Sequence, residues 1–427
     1  MKKLFMENNI LILSFEPFTK EGSNGKTLWS MLEGFNNNCN LSHIFIKNIK
    51  PNIDANCRYL LIDESKIVNP FLSSRKICRE IYYTPDETTE KENPFRNGIT
   101  KKTPFTMLIR NAVWHLASLK FKFVYKWIEQ SRPNTLIILD SDLPFFCDFA
   151  RKIKRRFGCK IVFYTTENYS LKKMNYMSEN LSSKNPLFSL FRRKLFRAHK
   201  KLFRETCSEI FLTNSLKDEY MLNYSLNKPS VIYPSSYVGE MPRKAYDNQL
   251  VFSYCGSLGV GRWETFISFI KEAAKYDCKI VVASYLSKEK EMQLLEYPFI
   301  DYLGFVSFER VIEIYKDSDV LLHFESFDEL IKEDCKHAFS GKLSDCISSC
   351  KPFLYYGPKG NSVSAFLQEN KCGFEANDLN ALKKILNLFY DNHESVFLYS
   401  NNARLTSNKY FNERENTGLL KKIIFDD

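Results

Sequence analysis

The sequence lacks any uninterrupted apolar run of about 20 residues, the length that a membrane-spanning helix needs. It also contains no internal repeat and no low-complexity tract. The first residues resemble a secretory signal only superficially, because Glu7 and the short apolar run Ile10–Ser14 break that pattern. With 44% hydrophobic and 26% charged residues, the composition is typical of a folded globular protein and excludes a disordered one.

A second absence concerns cysteine pairs. Twelve cysteines are scattered through the chain, yet none form a Cys-x-x-Cys motif. Cys346 and Cys350 come closest, with three residues between them and no second pair nearby, so a structural zinc site is not expected. Thiols inside apolar segments behave as small hydrophobic groups. We therefore expect free, buried thiols and a reducing, cytoplasmic location.

The length of 427 residues suits two domains of about 200 residues each. Short apolar runs alternate with longer amphipathic segments, which predicts an α/β fold with parallel sheets. The predicted strands are Ile10–Ser14, Thr135–Leu139, Ile161–Tyr164, Ile210–Leu212, Val231–Tyr233, Val251–Tyr254, Lys279–Ser284, Val320–Phe324 and Phe353–Tyr356. The polar turn Gly239–Lys244 marks a domain boundary. We predict an N-terminal domain at 1–245, a C-terminal domain at 246–400 and a polar terminal helix at 401–427.

Positive charge is concentrated in one part of the chain. The net charge is +11, but Arg151–Glu205 alone holds sixteen lysines and arginines against three acids. Within it, Leu195, Phe196, His199, Leu202 and Phe203 recur at helical spacing, which is typical of a helix packed on a core. The flanking cations also suit a helix that lies on anionic lipid, and we predict that they face a membrane: Arg192, Arg193, Lys194, Arg197, Lys200 and Lys201. Nucleic acid is not an expected partner, because no nucleic-acid-binding module accompanies the charge.

A glycine-containing loop follows the first predicted strand. Gly22 and Gly25 are separated by two residues, whereas a Walker A loop needs four, so a P-loop is excluded. A loop that opens a helix still presents backbone N–H groups to an anion. The residues Asn24, Gly25, Lys26 and Thr27 are therefore either an acceptor-side phosphate loop or an ordinary strand–helix turn.

Acidic side chains follow two of the predicted strands. Asp140 and Asp142 match the Asp-x-Asp pattern that holds a metal ion in glycosyltransferases of the GT-A fold, but acids that cap the next helix are the commoner interpretation. Glu167 follows the strand Ile161–Tyr164, and a carboxylate at that end of a parallel strand is placed to deprotonate an acceptor hydroxyl. A helix-capping or surface role for Glu167 is the alternative.

Two segments of the second half are suited to bind a phosphate group. The glycines after Val251–Tyr254 are spaced G-x-x-G-x-G, which disfavours a dinucleotide site, yet they let the backbone approach a phosphate that Arg262 can pair with. Further on, Lys342 opens a predicted helix and Asp345 follows one turn later, where it can accept hydrogen bonds from a ribose diol. The predicted donor-binding residues are Gly256, Ser257, Gly261, Arg262, Ser340, Gly341, Lys342, Leu343 and Asp345.

Together, these segments resemble GT-B glycosyltransferases of the retaining family-four type found in bacterial capsule and O-antigen clusters. The resemblance covers about Val251 to Gly373. It implies two Rossmann-like domains with parallel sheets facing a central cleft. It also implies transfer of a sugar from a nucleotide-sugar to a saccharide or polyprenyl-linked acceptor. For a polyprenyl-linked acceptor, we expect the basic surface to hold the protein on the inner face of the plasma membrane.

The resemblance implies a catalytic mechanism as well. In this family fixed cations, and not a bound metal, neutralise the leaving diphosphate, so no cofactor is expected. Glu167, Arg262 and Lys342 are then the candidate catalytic residues. The chain departs from the family where Asp345 replaces a glutamate and Glu167 replaces a cleft histidine. Two alternatives stay open: a non-catalytic sugar-nucleotide-binding or scaffold protein, which the departure at Asp345 supports, and a metal-dependent GT-A enzyme using Asp140 and Asp142.

Overall fold

The computed structural model describes residues 8–20, 23–67, 73–83, 102–178, 181, 184–241, 249–391 and 393–425. The chain forms two compact units: unit 1 comprises Met1–Ile232 with Thr417–Asp427, and unit 2 comprises Tyr233–Asn416. The predicted division at 245 and 400 stays a prediction. Residues 242–244 of its boundary turn lie outside the described residues.

Unit 1 is built on an eight-stranded sheet. In chain order its strands are β1 (Asn9–Leu13), β2 (Asn40–Phe45), β3 (Cys57–Ile62), β4 (Cys78–Ile81), β5 (Thr135–Leu139), β6 (Lys160–Thr165), β7 (Ser208–Phe211) and β8 (Pro229–Val231). Their order across the sheet is β4-β3-β2-β1-β5-β6-β7-β8. All described pairings are parallel except that of β4 with β3, so the prediction of a parallel sheet is wrong for this edge strand.

The helices of unit 1 cover this sheet. They are α1 (Ser23–Leu32), α2 (Glu64–Ile67), α3 (Ser74–Ile77), α4 (Pro104–Ser118), α5 (Lys122–Ser131), α6 (Pro144–Phe157), α7 (Pro186–Phe203) and α8 (Asn214–Asn223). The sequence fixes several ends: Thr103 and Thr106 form a capping box at the start of α4, and Asn185 caps α7. Gly158 ends α6 with a left-handed backbone.

Unit 2 contains a smaller sheet, and its described pairings are all parallel. Its strands are β9 (Leu250–Cys255), β10 (Cys278–Ala283), β11 (Ile300–Gly304), β12 (Val320–Phe324), β13 (Phe353–Tyr356) and β14 (Phe374–Ala376), in the order β11-β10-β9-β12-β13-β14. Its helices are α9 (Arg262–Ala273), α10 (Lys288–Leu295), α11 (Phe308–Asp317), α12 (Glu329–Asp334), α13 (Gly341–Ser348), α14 (Ser362–Asn370), α15 (Leu379–Asp391) and α16 (His393–Tyr410). They are followed by α17 (Glu413–Phe425), which unit 2 shares with unit 1.

The chain's last helix begins in unit 2 and ends in unit 1. From Thr417 onward its residues belong to unit 1, where the Phe425 ring lies 6.0 Å from that of Phe35. The predicted terminal segment 401–427 therefore contains the end of α16 and all of α17, and not a single helix. Within the described ranges, no helix combines the length and the apolar character that crossing a bilayer requires.

Both sheets have a point at which the winding of the chain reverses. In unit 1 the chain runs from β1 outward through β2 and β3, then returns to place β5 on the other side of β1. In unit 2 it runs from β9 through β10 and β11, then places β12 on the other side of β9. The loops at the carboxyl ends of such strand pairs diverge and leave a crevice, which is where ligands of open α/β sheets bind.

Candidate functional site

The crevice of unit 2 lies beyond the carboxyl ends of β9 and β12. Tyr254 comes from the end of β9, Arg262 begins α9, and Glu325 directly follows β12. Lys342 lies in the first turn of α13. Four polar side chains from four elements therefore meet at the edge where the fold favours a ligand.

Arg262 is held by two acceptors from the β12 segment. Its Nε donates to the Phe324 carbonyl at 3.1 Å and lies 3.2 Å from Oε2 of Glu325, while Nη2 lies 2.9 Å from Oε1. This two-point contact fixes the plane of the guanidinium group. The structure thus brings the predicted cation to the crevice, but pairs it with an acid.

Glu325 has a second partner in His323, whose Nε2 lies 2.9 Å from Oε1 of the carboxylate. Burial alone would raise the pKa of Glu325, but the His323 hydrogen bond and the Arg262 charge lower it to about 2. Burial lowers the pKa of His323 to about 4. At neutral pH the group is therefore a carboxylate between a charged arginine and a neutral histidine.

Lys342 reaches the same crevice from α13. Its Nζ donates to the Tyr254 hydroxyl at 2.8 Å and lies 4.1 Å from the centre of the tyrosine ring. Burial, followed by the charge of Arg262, lowers the pKa of Lys342 to about 7. The lysine is therefore balanced between its neutral and charged forms, and an anion placed beside it would favour the charged one.

The glycine loop after β9 permits this close approach. Gly256 has φ +149°, and a Cβ atom there would lie 2.6 Å from Nζ of Lys342. Gly261 has φ +68° and is the residue directly before α9, and a Cβ atom there would lie 2.5 Å from Oγ of Ser326. Ser257 is exposed, and its hydroxyl accepts a hydrogen bond from the Gly259 amide at 3.1 Å. The predicted glycine at 256 thus leaves room for the side chain of Lys342.

The remaining predicted donor residues divide into two groups. Ser340 precedes α13 and Gly341 begins it, so both flank Lys342. Leu343 is fully buried in the core. Asp345 is buried as well, and its Oδ1 accepts from the Ser236 hydroxyl at 3.1 Å and from the Tyr237 amide at 3.3 Å. A ribose-binding role for Asp345 stays a prediction, and these contacts do not support it.

Three site residues were not predicted as donor-binding residues from the sequence: Tyr254, His323 and Glu325. One signal was available, because alternation along β12 places His323 and Glu325 on the same face of the strand. Polar side chains that are buried at the end of an apolar strand need hydrogen-bond partners. A histidine and an acid two residues apart can be each other's partner. Tyr254 offered no signal, since aromatic residues are common in strands.

In unit 1 the acids after β5 have separate partners. Oδ1 of Asp140 lies 2.8 Å from Nε2 of His199, and Oδ2 accepts from the Thr165 hydroxyl at 2.9 Å. Asp142 forms an ion pair with Lys102. The expected capping role of these acids is wrong, because α6 begins after Leu143 without a side-chain cap.

His199 makes the Asp140 contact a buried ion pair. Burial disfavours the imidazolium form, but the carboxylate of Asp140 outweighs it and raises the pKa of His199 to about 10. The helix face that was predicted to pack on a core does so, since Leu195, His199 and Leu202 are fully buried. The six cations predicted to face a membrane lie on the rest of α7; all are exposed except the half-buried Arg192.

The other predicted residues of unit 1 lie at the same edge of its sheet. Glu167 follows β6, its side chain is 40% exposed, and Oε2 is 3.9 Å from Nζ of Lys172. Residues Asn24–Thr27 lie in the first turns of α1, and Gly22 is outside the described residues. A Cβ atom at Gly25 would lie 2.5 Å from the Pro17 carbonyl, so this glycine is required by close packing of the loop.

Comparisons with known proteins find structures of the same fold but no family to which the chain belongs. No family model matches the chain, and no curated protein matches it. Solved structures do match: sucrose-phosphate synthase from Thermosynechococcus elongatus is 11% identical, with a TM-score of 0.64 over 97% of both chains. Anabaena HepE in complex with UDP is 10% identical, with a TM-score of 0.62 over 97% of this chain and 98% of that one.

WaaG, a glycosyltransferase involved in lipopolysaccharide biosynthesis, is also similar, at 12% identity and a TM-score of 0.56 over 98% of this chain and all of its own. These neighbours have the GT-B architecture, so the predicted α/β fold of GT-B type is confirmed. The alternative GT-A fold is wrong. At these identities the likeness concerns the fold, and function has to be argued from the site.

Proposed function

We propose that the protein is a glycosyltransferase that moves a sugar from a nucleotide-sugar onto a saccharide or lipid-linked saccharide acceptor. The observation that carries the proposal is the pair of cations, Arg262 and Lys342, at the switch point of unit 2. Structural neighbours support it, because HepE has been solved with UDP and with UDP-glucose, and WaaG is a glycosyltransferase.

The cations suit the charge that develops during transfer. When the sugar–phosphate bond breaks, negative charge accumulates on the departing diphosphate, and fixed positive groups stabilise it. Arg262 is held in place by Glu325, so it needs no reorganisation when the substrate binds. Lys342 supplies the adjustable charge, since a diphosphate nearby would shift it to the ammonium form. We propose a metal-independent, retaining reaction on this basis and on the family resemblance.

The acceptor would be handled by unit 1. Glu167 is partly exposed and follows a strand at the edge where ligands bind, which suits a base that orients or deprotonates an acceptor hydroxyl. The first turns of α1, with Lys26 and Thr27, suit an acceptor phosphate. A role in surface polysaccharide synthesis at the cytoplasmic face of the membrane follows from the resemblance and from the cations on α7.

A second candidate is a protein that binds the nucleotide-sugar without turnover. The burial of Asp345 against Ser236 and Tyr237 favours this alternative, because it removes the acid expected to contact the ribose. Under both candidates the nucleotide binds at Lys342, and they differ only in the release of nucleoside diphosphate.

The test combines a binding screen with a turnover assay. UDP-, GDP- and CMP-sugars are screened by thermal shift, and nucleoside diphosphate release is then measured with the donor that stabilises the protein. We expect Lys342→Met to weaken donor binding at least tenfold and Glu167→Gln to lower kcat with donor binding unchanged. Lys332→Met, which changes a partly exposed lysine on α12, is the matched control. No stabilisation by any nucleotide-sugar would contradict the proposal, and binding without release would favour the second candidate.

A further inference from the structure

One face of α4 in unit 1 is apolar and exposed along its whole length. Phe105, Ile109, Ala112, Leu116 and Leu119 are spaced by four, three, four and three residues, which places them on one side of the helix. Phe105 is 58% exposed, Leu116 is 67% exposed and Leu119 is 81% exposed. We call these five residues the α4 stripe. At 1.5 Å per residue it extends about 21 Å.

Single exposed apolar residues are ordinary, but a continuous line of them is not. The opposite side of α4 already supplies the core contacts of the helix. Trp114 is fully buried and stacks on Phe145 of α6 at 5.2 Å, and Met107 is buried with Phe191 and Leu195 of α7. The stripe is therefore not needed to attach α4 to unit 1.

Cations border the stripe on the two neighbouring helices. On α6, Nζ of Lys152 lies 3.2 Å from the Ser118 hydroxyl, next to Leu119. His115, adjacent to Leu116 in the sequence, has a pKa that burial lowers; the α6 acid Asp148 opposes this shift, and the charges of Lys152 and of Lys194 on α7 add to it. Other exposed residues of the same two helices are basic as well: Arg155 and Arg156 on α6, and Arg193, Arg197, Lys200 and Lys201 on α7.

We propose that α4 is the insertion element of a membrane-binding surface, with the α4 stripe entering the headgroup region of an anionic phospholipid bilayer. The cations of α6 and α7 would then contact lipid phosphates. An apolar helical stripe flanked by lysines and arginines is the arrangement that interfacial helices use. This extends the lipid contact of the proposed function from electrostatic attraction by α7 to insertion by α4, and it makes binding depend on both.

Charge selects the bilayer over a second copy of the chain. If two copies paired through the stripe, the cations that border it on one copy would face those of the other, and like charges in contact are costly. A bilayer containing anionic lipid meets both components at once, since it offers acyl chains to the stripe and negative headgroups to the lysines and arginines.

The experiment uses the full chain and vesicles of defined composition. We expect co-sedimentation with phosphatidylcholine vesicles containing 30% phosphatidylglycerol, and little with phosphatidylcholine alone. The double substitution Ile109→Ser with Leu116→Ser should weaken binding at least tenfold. Met221→Ser with Leu222→Ser removes two exposed apolar side chains from α8 and should leave binding within twofold of wild type. Lys152→Ala with Lys194→Ala should weaken binding and reduce its sensitivity to salt.

Tryptophan fluorescence tests whether the α4 stripe enters the bilayer or is covered by another part of the chain or by a second copy. In Leu116→Trp, the fluorescence difference from wild type should show a water-exposed tryptophan in buffer and a blue shift with anionic vesicles. In Leu222→Trp no shift is expected. A buried signal in buffer would mean that the chain or a second copy covers the stripe, and size-exclusion chromatography with light scattering identifies the copy; both results overturn the proposal.

UDP binding by the same variants keeps the two proposals distinguishable. The α4 variants should bind UDP as wild type does. Unchanged vesicle binding by Ile109→Ser with Leu116→Ser, or no binding by wild type, overturns the insertion proposal alone. If the wild-type protein bound none of the screened nucleotide-sugars, the proposed function would be contradicted and the membrane surface would still stand.

Discussion

The two units place an acid at the same position of their folds and give it opposite electrostatic roles. Asp140 follows β5, the neighbour of β1 across the switch point, and Glu325 follows β12, the neighbour of β9. Each carboxylate contacts a buried histidine through Nε2, at 2.8 and 2.9 Å. In unit 1 the histidine is held charged, and in unit 2 it is held neutral.

The two histidines differ in charge because their carboxylates differ in their other partners. Glu325 is already neutralised by Arg262, so a protonated His323 would be a second positive charge next to the arginine and Lys342. Asp140 has hydroxyl partners in Thr165 and Tyr220, and its ion pair is with His199. A buried carboxylate therefore closes a structural ion pair in unit 1, while in unit 2 it fixes an arginine beside a lysine whose charge can change.

The largest expected effect comes from breaking the pair in unit 1. Asp140→Ala leaves the His199 imidazole and two hydroxyls without their acceptor in a buried site, and should cost about 3–5 kcal/mol of unfolding free energy. Chemical denaturation measures it. Asp148→Ala is the control, because Asp148 also contacts a histidine, His115, but its side chain is 30% exposed. This substitution should lower the unfolding free energy by about 1 kcal/mol or less. Equal losses for the two substitutions would show that the Asp140–His199 pair is not a buried ion pair.

A smaller effect distinguishes the two histidines by pH. The pKa of His199 is raised from 6.5 to about 10, so its contribution is complete below pH 6.5 and is lost as pH rises towards 10. The pKa of His323 is lowered from 6.5 to about 4, so in unit 2 stability increases with pH between 4 and 6.5. Each slope is at most about 1.4 kcal/mol per pH unit.

NMR of histidine-labelled protein checks this directly, with His199→Gln and His323→Gln assigning the signals. One imidazole should stay charged well above neutral pH, and another should stay neutral down to about pH 4. If both histidines titrate near 6.5, the contrast between the units is wrong.

The sequence predicts the elements whose patterns are local. Apolar runs locate β5, β12 and β13 to the residue, since strands covered on both faces contain few polar side chains. β2 escapes the same analysis because Ser42 and His43 interrupt its apolar pattern. Both are buried in the structure, where His43 bonds to Ser14 at 2.7 Å across the sheet. A buried polar residue can be distinguished from a loop residue only once its partner is known.

The site shows the same limit. Arg262 and Lys342 are found from the sequence because a cation next to a glycine-rich helix start is a local signal. The pairing of Arg262 with Glu325 joins residues 63 positions apart, and Lys342 and Tyr254 are 88 apart. Such contacts depend on strand order, which a single sequence leaves open. The burial of Asp345 against Ser236 depends on it in the same way.

We propose that unit 2 binds a diphosphate through Lys342, which becomes charged on binding. Isothermal titration of UDP at pH 8, in buffers of different ionisation enthalpy, measures it directly. The pKa of Lys342 near 7 leaves the free amine largely neutral at this pH, and the bound diphosphate should recharge it. We expect uptake of close to one proton by wild type and by Lys332→Met, and a loss of both the uptake and most of the affinity in Lys342→Met. UDP binding that takes up no proton and is unchanged in Lys342→Met would contradict it.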